Sequence, residues 1–251
     1  MRKNRKKRSG KPFKKNIKTD RNIENCDELI FGVNPVKEAL ISGTKIKEII
    51  VGQKSMLDDP LLKGKKVRFL DPGTMKKKFG ENTQNIVARI EPFEHISFED
   101  LLSTAKEDST IVLLDHITDP HNLGAIIRTS DASGVHGIVI PENRSVQVNA
   151  TVFKTSAGAV NHSNISKVNN LINAIKTLKD NGFWVYGGEI DGGSDLFETD
   201  INGKVALVMG SEGKGLSRLV RENLDFVLNI PMAGKVNSLN VSVATAVILF
   251  E

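Results

Sequence analysis

Short apolar runs recur along this chain, separated by stretches in which apolar positions fall three or four residues apart, a pattern that predicts strands and helices in alternation. Residues 29–40 read as a short strand or turn passing into a helix, with Asn34 and Pro35 suited to its N-cap and first position. Residues 46–51 and 67–70 read as strands. Asp71, Pro72 and Gly73 open a Lys-rich helix over 74–79, and 86–90 is a further strand. Together these describe a small α/β unit. A segment over 91–95 and a helix over 97–105 mark a boundary. Beyond it, 110–115 is a continuous apolar run of the kind buried on both faces of a parallel sheet. A loop over 116–122, a helix over 122–134 closed by Gly134 and a strand over 137–140 then complete a βαβ unit. The alternation continues with helices over 152–160 and 171–180 and strands near 165 and over 183–187, 205–209 and 226–230. The organisation expected is a tail over 1–25, a small α/β domain over 26–95, a linker over 96–109 and a larger α/β domain over 110–251.

The last segment breaks the pattern. After the strand ending at Ile230, a loop containing Pro231 and Gly234 leads to Ser238, a candidate N-cap, and 239–250 is apolar on nearly every face of a helix. A helix of that kind is expected to be buried. Asn240, Ser242 and Thr245 nevertheless lie within it, and a buried polar group without a partner costs about 1–3 kcal/mol. Either the nearby backbone satisfies them or a ligand meets the start of the helix.

Charge separates the two ends of the chain. Residues 1–21 carry eleven Lys/Arg and one acid, Asp20, a net of +10, so the remainder is −5 within a total of +5. Such a block of like charge does not pack, and it suits sequence-independent contact with a polyanion. A single cysteine, Cys26, excludes an intramolecular disulfide and a Cys-based zinc site, and suits a reducing, cytoplasmic setting. No apolar run reaches the roughly 20 residues that a membrane helix needs, so no membrane partner is expected.

Three loops follow strands of the larger domain, where open α/β sheets bind ligands. The loop 210–216 resembles a phosphate loop but has only two residues between Gly210 and Gly213-Lys214, where a Walker loop needs four. No dinucleotide fingerprint follows the strand 110–115. What remains is a glycine turn that carries Glu212 and permits close backbone approach to a flat ligand. Arg128 lies six residues beyond Asn122, nearly two helical turns, which suggests similar sides of one helix. His116 and His121 lack companions at metal-ligand spacing, so no metal is expected. No nucleophile elbow is present.

Taken together, Asn122-Leu123-Gly124-Ala125-Ile126-Ile127-Arg128-Thr129, Met209-Gly210-Ser211-Glu212-Gly213-Lys214-Gly215-Leu216, and Ile230-Pro231-Met232 through Ser238-Leu239-Asn240-Val241-Ser242 resemble, in order and spacing, the three motifs of the SpoU/TrmH family of RNA ribose 2′-O-methyltransferases, in the SPOUT class. Phe31-Gly32-Val33-Asn34-Pro35-Val36 resembles the start of the small RNA-binding domain of its RlmB-like subgroup, whose members methylate a guanosine in large-subunit ribosomal RNA. In place of the subgroup's His-Gln-Gly, this chain has Thr83-Gln84-Asn85. The resemblance implies a deep trefoil knot, S-adenosylmethionine as cofactor and a ribosomal RNA substrate. It further implies a homodimer joined through the last helix, with active sites assembled from both chains. It implies that the cofactor meets backbone around Gly187, Gly210, Ile230, Ser238 and Leu239. Asn122, Arg128, Glu212, Asn240 and Ser242 would line the reaction site. Arg128 is expected to bind a phosphate rather than act as a base, because a guanidinium pKa above about 12 makes deprotonation costly.

Overall fold

The computed structural model describes residues 28–251 except 42 and 191; the basic tail and Cys26 lie outside the described residues. The small unit comprises β1 (Glu28–Phe31), α1 (Val33–Ile41), β2 (Ile46–Val51), β3 (Val67–Phe69), α2 (Pro72–Phe79) and β4 (Ile86–Ile90). Its sheet runs β1-β4-β2-β3, with β4 antiparallel to both neighbours and β2 parallel to β3. Alternation along β2 sends Ile49 and Val51 to a core shared with Val36 and Ala39 of α1, and Ile50 to one shared with Met75 of α2. The period of two along the strand sends these side chains to opposite faces, and helices cover both. Gln84 and Asn85 adopt left-handed backbone, φ 49° and 58°, and Gln84 Oε1 accepts a hydrogen bond from the Val33 amide at 3.0 Å. The turn before β4 thereby holds the start of α1.

The larger unit contains β5 (Thr110–Asp115), α4 (Pro120–Ala132), β6 (Gly137–Pro141), α5 (Ala150–Thr155), β7 (Ile165–Val168), α6 (Leu171–Asp180), β8 (Trp184–Glu189), β9 (Ser194–Asp195), β10 (Val205–Gly210), α7 (Arg218–Arg221), β11 (Phe226–Asn229) and α8 (Val241–Leu249). Ahead of them comes α3 (Phe98–Ser103). The sheet is parallel throughout, in the order β7-β6-β5-β10-β8-β11-β9. Val112 and Leu114 of β5 pack on the face covered by α4, α5 and α8, and Ile111 and Leu113 on the face covered by α3 and α6. Leu101 of α3 is fully buried in the second of these clusters. Much of the segment 96–109 is therefore integrated into the larger unit. The two units also touch directly: Ala150 packs on the small core, and Lys154 pairs with Glu38 at 2.6 Å.

Four expectations are corrected. α1 begins at Val33, so Asn34 and Pro35 lie inside its first turn and not at the N-cap and first position. The predicted helix over 152–160 ends at Thr155, because Ala157 and Gly158 take left-handed backbone (φ 51° and 86°) before a short turn over Ala159–Asn161. The last helix begins at Val241, not Leu239, and its N-cap is Asn240 rather than Ser238. The Asn240 side chain accepts from the Ser242 amide at 2.9 Å, closing the first turn two residues later than expected. Nor is that helix buried all round in the single chain, since Val243 is 47% and Phe250 66% exposed.

Candidate active site

A cavity of about 500 Å³ lies at the carboxyl ends of β8, β10 and β11, walled by the loops that follow these strands and by α8. The fold of its central loop follows from glycine. Gly210 ends β10, and a Cβ there would lie 2.2 Å from the Gly215 carbonyl carbon and 2.4 Å from the Leu216 nitrogen. The chain folds back directly over it. Gly213 and Gly215 supply the left-handed turns (φ 80° and 63°), and Ser211 and Gly215 exchange backbone hydrogen bonds at 2.9 and 3.1 Å. The far end is pinned to β5, where Asp115 Oδ2 accepts from the Ser217 amide at 2.7 Å. Glu212 is thereby presented at the tip of a closed turn.

Of the residues assigned to cofactor contact, Gly210, Ile230, Ser238 and Leu239 line the cavity. Gly187 does not. A Cβ on Gly187 would point at Leu224 and Leu216, on the opposite face of the sheet, whereas one on Gly188 would meet Met209 Sδ at 2.8 Å and Ile248 Cδ1 at 3.0 Å, beside the cavity. Strand parity was the missed signal: Gly188 shares a face with Tyr186, and its backbone approaches the site. Glu189 and Arg221, paired at 3.1 Å, also line the cavity and were not anticipated.

Polar residues from each of the three motifs meet in one hydrogen-bonded chain. Asn240 spends its Oδ1 on the cap of α8, accepting from the Ser242 amide at 2.9 Å and from Ser242 Oγ at 2.6 Å. Its Nδ2 donates to Asn122 Oδ1 at 3.0 Å. Asn122 Nδ2 in turn donates to Glu212 Oε2 at 3.2 Å. A carboxylate only accepts, and a capping oxygen is already committed, so both amides can have only this polarity. Asn122 is 7% exposed; α4 places it in its first turn, after the Asp119 cap and Pro120. Glu212 Oε1 has no donor among the described residues.

Arg128 stands apart. At about 100° per residue, six positions rotate it about 240° from Asn122, so the expectation of similar sides is corrected. Asn122 is buried while Arg128 is exposed on the outer face of α4, and its side chain pairs with no described residue. Among the described residues no group of three His, Cys, Asp or Glu is arranged to hold a metal ion, and no helix is long and apolar enough to cross a membrane.

Comparison with known proteins supplies the family. The SpoU rRNA Methylase family model matches residues 109–250, and a model for RNA 2′-O ribose methyltransferase substrate binding matches residues 29–96. A TrmH family protein of Staphylococcus saprophyticus, provisionally named a tRNA/rRNA methyltransferase, is 41% identical over 233 residues, covering 89% of this chain and 94% of its own. The SpoU methyltransferase AviRb of Streptomyces viridochromogenes, crystallised with AdoMet (S-adenosylmethionine), superposes with a TM-score of 0.65 at 25% identity, over 89% of this chain and 88% of that one. An AdoMet-bound rRNA methyltransferase of Sinorhizobium meliloti gives 0.63 at 28% identity, over 89% and 85%. The cavity suits that cofactor: its loops offer backbone at Gly188, Gly210 and Ile230, its floor is apolar at Met209 and Ile248, and Gly210 has no room for a side chain. With motifs, fold and substrate-binding unit all matched, the chain belongs to the SpoU/TrmH family of RNA 2′-O-ribose methyltransferases, with S-adenosylmethionine as its cofactor.

Proposed function

We propose that this protein, acting as a cytoplasmic homodimer of the RlmB-like subgroup, methylates the 2′-hydroxyl of a guanosine in large-subunit ribosomal RNA. The observation that carries the chemistry is the chain Ser242–Asn240–Asn122–Glu212, which ties three distant motifs together beside the cavity. When bound, S-adenosylmethionine supplies the methyl group. Glu212 orients the ribose hydroxyl through its uncommitted oxygen, and Asn122 and Asn240 hold Glu212 in place. Positioning of this kind contributes up to roughly 7–11 kcal/mol of barrier reduction in favourable cases.

The dimer gives Arg128 its role. In the single chain, residues 231–240 are all exposed, Val236 at 67%, and α8 leaves Val243 and Phe250 uncovered. A second subunit that covers this apolar surface would bring an outward-facing Arg128 to the opposite site, where its planar fork pairs with a phosphate beside the target ribose. The deep trefoil knot belongs to the same proposal. The loop after β10 doubles back over Gly210, and the segment after β11 returns as α8 to pack on α4, β8 and β10.

For the substrate, the small unit and the ribosomal RNA methyltransferase similar in both units favour ribosomal RNA. The runner-up is transfer RNA, since the staphylococcal relative carries both substrates in its name. A non-catalytic assembly factor would have no use for the intact polar chain. Transfer of tritiated methyl groups to deproteinised large-subunit ribosomal RNA and to bulk tRNA separates these readings. Incorporation into a single guanosine of the ribosomal RNA is expected. Label confined to tRNA transfers the assignment to the runner-up, and absence of label from both supports the non-catalytic reading.

A further inference from the structure

A second cavity, of about 800 Å³, opens at the carboxyl ends of β5, β6 and β7. Its wall includes Asp115 and His116 after β5, Asn143 and Arg144 after β6, Asn169 after β7, and Arg218 at the start of α7. None of these belongs to the polar chain of the active site. The two cavities are nonetheless neighbours, because Asp115 stands beside Gly210 in the register of β5 and β10.

The chemistry of this wall selects an anion. Asp115 is the one carboxylate among the described lining residues, and it is 1% exposed, with Oδ1 held by His116 Nδ1 and Oδ2 by the Ser217 amide. The Arg144 side chain has no hydrogen bond or ion pair with any described residue. Arg218 pairs only with Glu222, one turn on, at 2.6 Å with both side chains exposed. An exposed pair of that spacing is weak, weaker than a charge-assisted hydrogen bond to a phosphate oxygen. Asn170 Oδ1 already accepts from the Ile172 and Asn173 amides at 2.9 and 3.1 Å, so the start of α6 has fewer free donors and recognition falls to the guanidinium groups. The apolar part of the wall is aliphatic, with Leu171, Ile172 and Leu219, and offers no aromatic platform on which a base would stack.

We infer that this cavity binds a phosphodiester group of the RNA strand whose target ribose occupies the neighbouring active site, with Arg144 and Arg218 as its cationic ligands and the Asn143 and Asn169 amides as further donors. The inference rests on the RNA-methyltransferase reading. Arg144 has left-handed backbone, φ 59°, so Arg144→Asn removes the cation while keeping a residue that tolerates that conformation. Arg218→Gln removes the second cation, and both are made singly and together in the full chain. Filter binding of deproteinised large-subunit ribosomal RNA and of bulk tRNA is measured across a KCl series, with S-adenosylmethionine affinity followed by calorimetry. The slope of log affinity against log salt should shrink by about 0.7–0.9 for each arginine lost, with cofactor affinity unchanged. If the double variant loses cofactor affinity, the single variants carry the test, each with half the change. An undiminished slope with both RNAs overturns the inference. So does inorganic phosphate that binds wild type and not the double variant while the RNA slope stays the same, which assigns the cavity to a free anion. A wild type that loses its slope in the variants yet transfers no methyl group sinks the functional reading and leaves the subsite standing.

Discussion

Asn122 is the residue on which the three motifs converge, and its amide is used at both ends. Asn122→Asp tests that use with almost no change of shape. The substitution replaces the donor to Glu212 with a second carboxylate about 3.2 Å from Oε2, in a position only 7% exposed. Loss of one preorganised donor at a reaction site typically costs 10²–10³-fold in kcat. Single-turnover methyl transfer should therefore fall by about 100-fold or more, while S-adenosylmethionine, bound mainly by the loops, keeps its affinity. Turnover within a few-fold of wild type would detach the polar chain from the chemistry. The sequence displayed these residues and their order, because polar groups at the start of an apolar helix need partners. It did not display that Asn240 caps that helix while Ser238 does not, since both residue types cap well and only the tertiary contact with Asn122 distinguishes them.

At the scale of elements, apolar patterning located the central strands closely, because β4, β5, β6 and β10 are buried nearly throughout, whereas the short polar β9 carries no such signal. Helix ends were less legible. α5 stops at Thr155 because Ala157 and Gly158 turn left-handed, and Ala157 carries no local signal for that conformation. That Gly188 and not Gly187 lines the cavity follows from parity along β8, which needs the register with β10 and β11 and is not legible in sequence alone. The segment joining the two units carries a pH-sensitive group. His95 packs edge-on against Phe93, centroids 4.9 Å apart, and its Nε2 is buried without a hydrogen-bond partner. Burial, followed by the charge of Lys167, pushes its pKa down to about 4, and a hydrogen bond with the Phe93 backbone opposes the shift. The folded pKa is depressed below the ordinary histidine value of about 6.5. The unfolded chain consequently binds more protons between these values, and stability is lost as pH falls from about 6.5 towards 4. Thermal melts of wild type and His95→Gln over that range should diverge, with the variant losing less stability on acidification. Parallel curves would show that His95 ionisation does not couple to folding.

For the molecule as a whole, two α/β units share contacts through α1 and α5, and the larger sheet inserts β10 between β5 and β8. That insertion brings Gly210 beside Asp115 and gathers the loops after β8, β10 and β11 at one edge. Composition and periodicity could announce an α/β fold but not this strand order, which depends on pairings between segments far apart in the chain. The family motifs indicated which residues are brought together, but not the strand order that brings them there. The exposed apolar side chains of Val236, Val243 and Phe250 beside the site fit the proposed dimer. The central claim is that this assembly methylates a ribose oxygen and not a base. A 2′-O-methyl group blocks alkaline cleavage of the next phosphodiester bond, because that cleavage requires a free 2′-hydroxyl. Substrate RNA labelled with tritiated S-adenosylmethionine should, after complete alkaline hydrolysis, release its label in an alkali-resistant dinucleotide. Label recovered in mononucleotides would place the methyl group on a base and contradict the account.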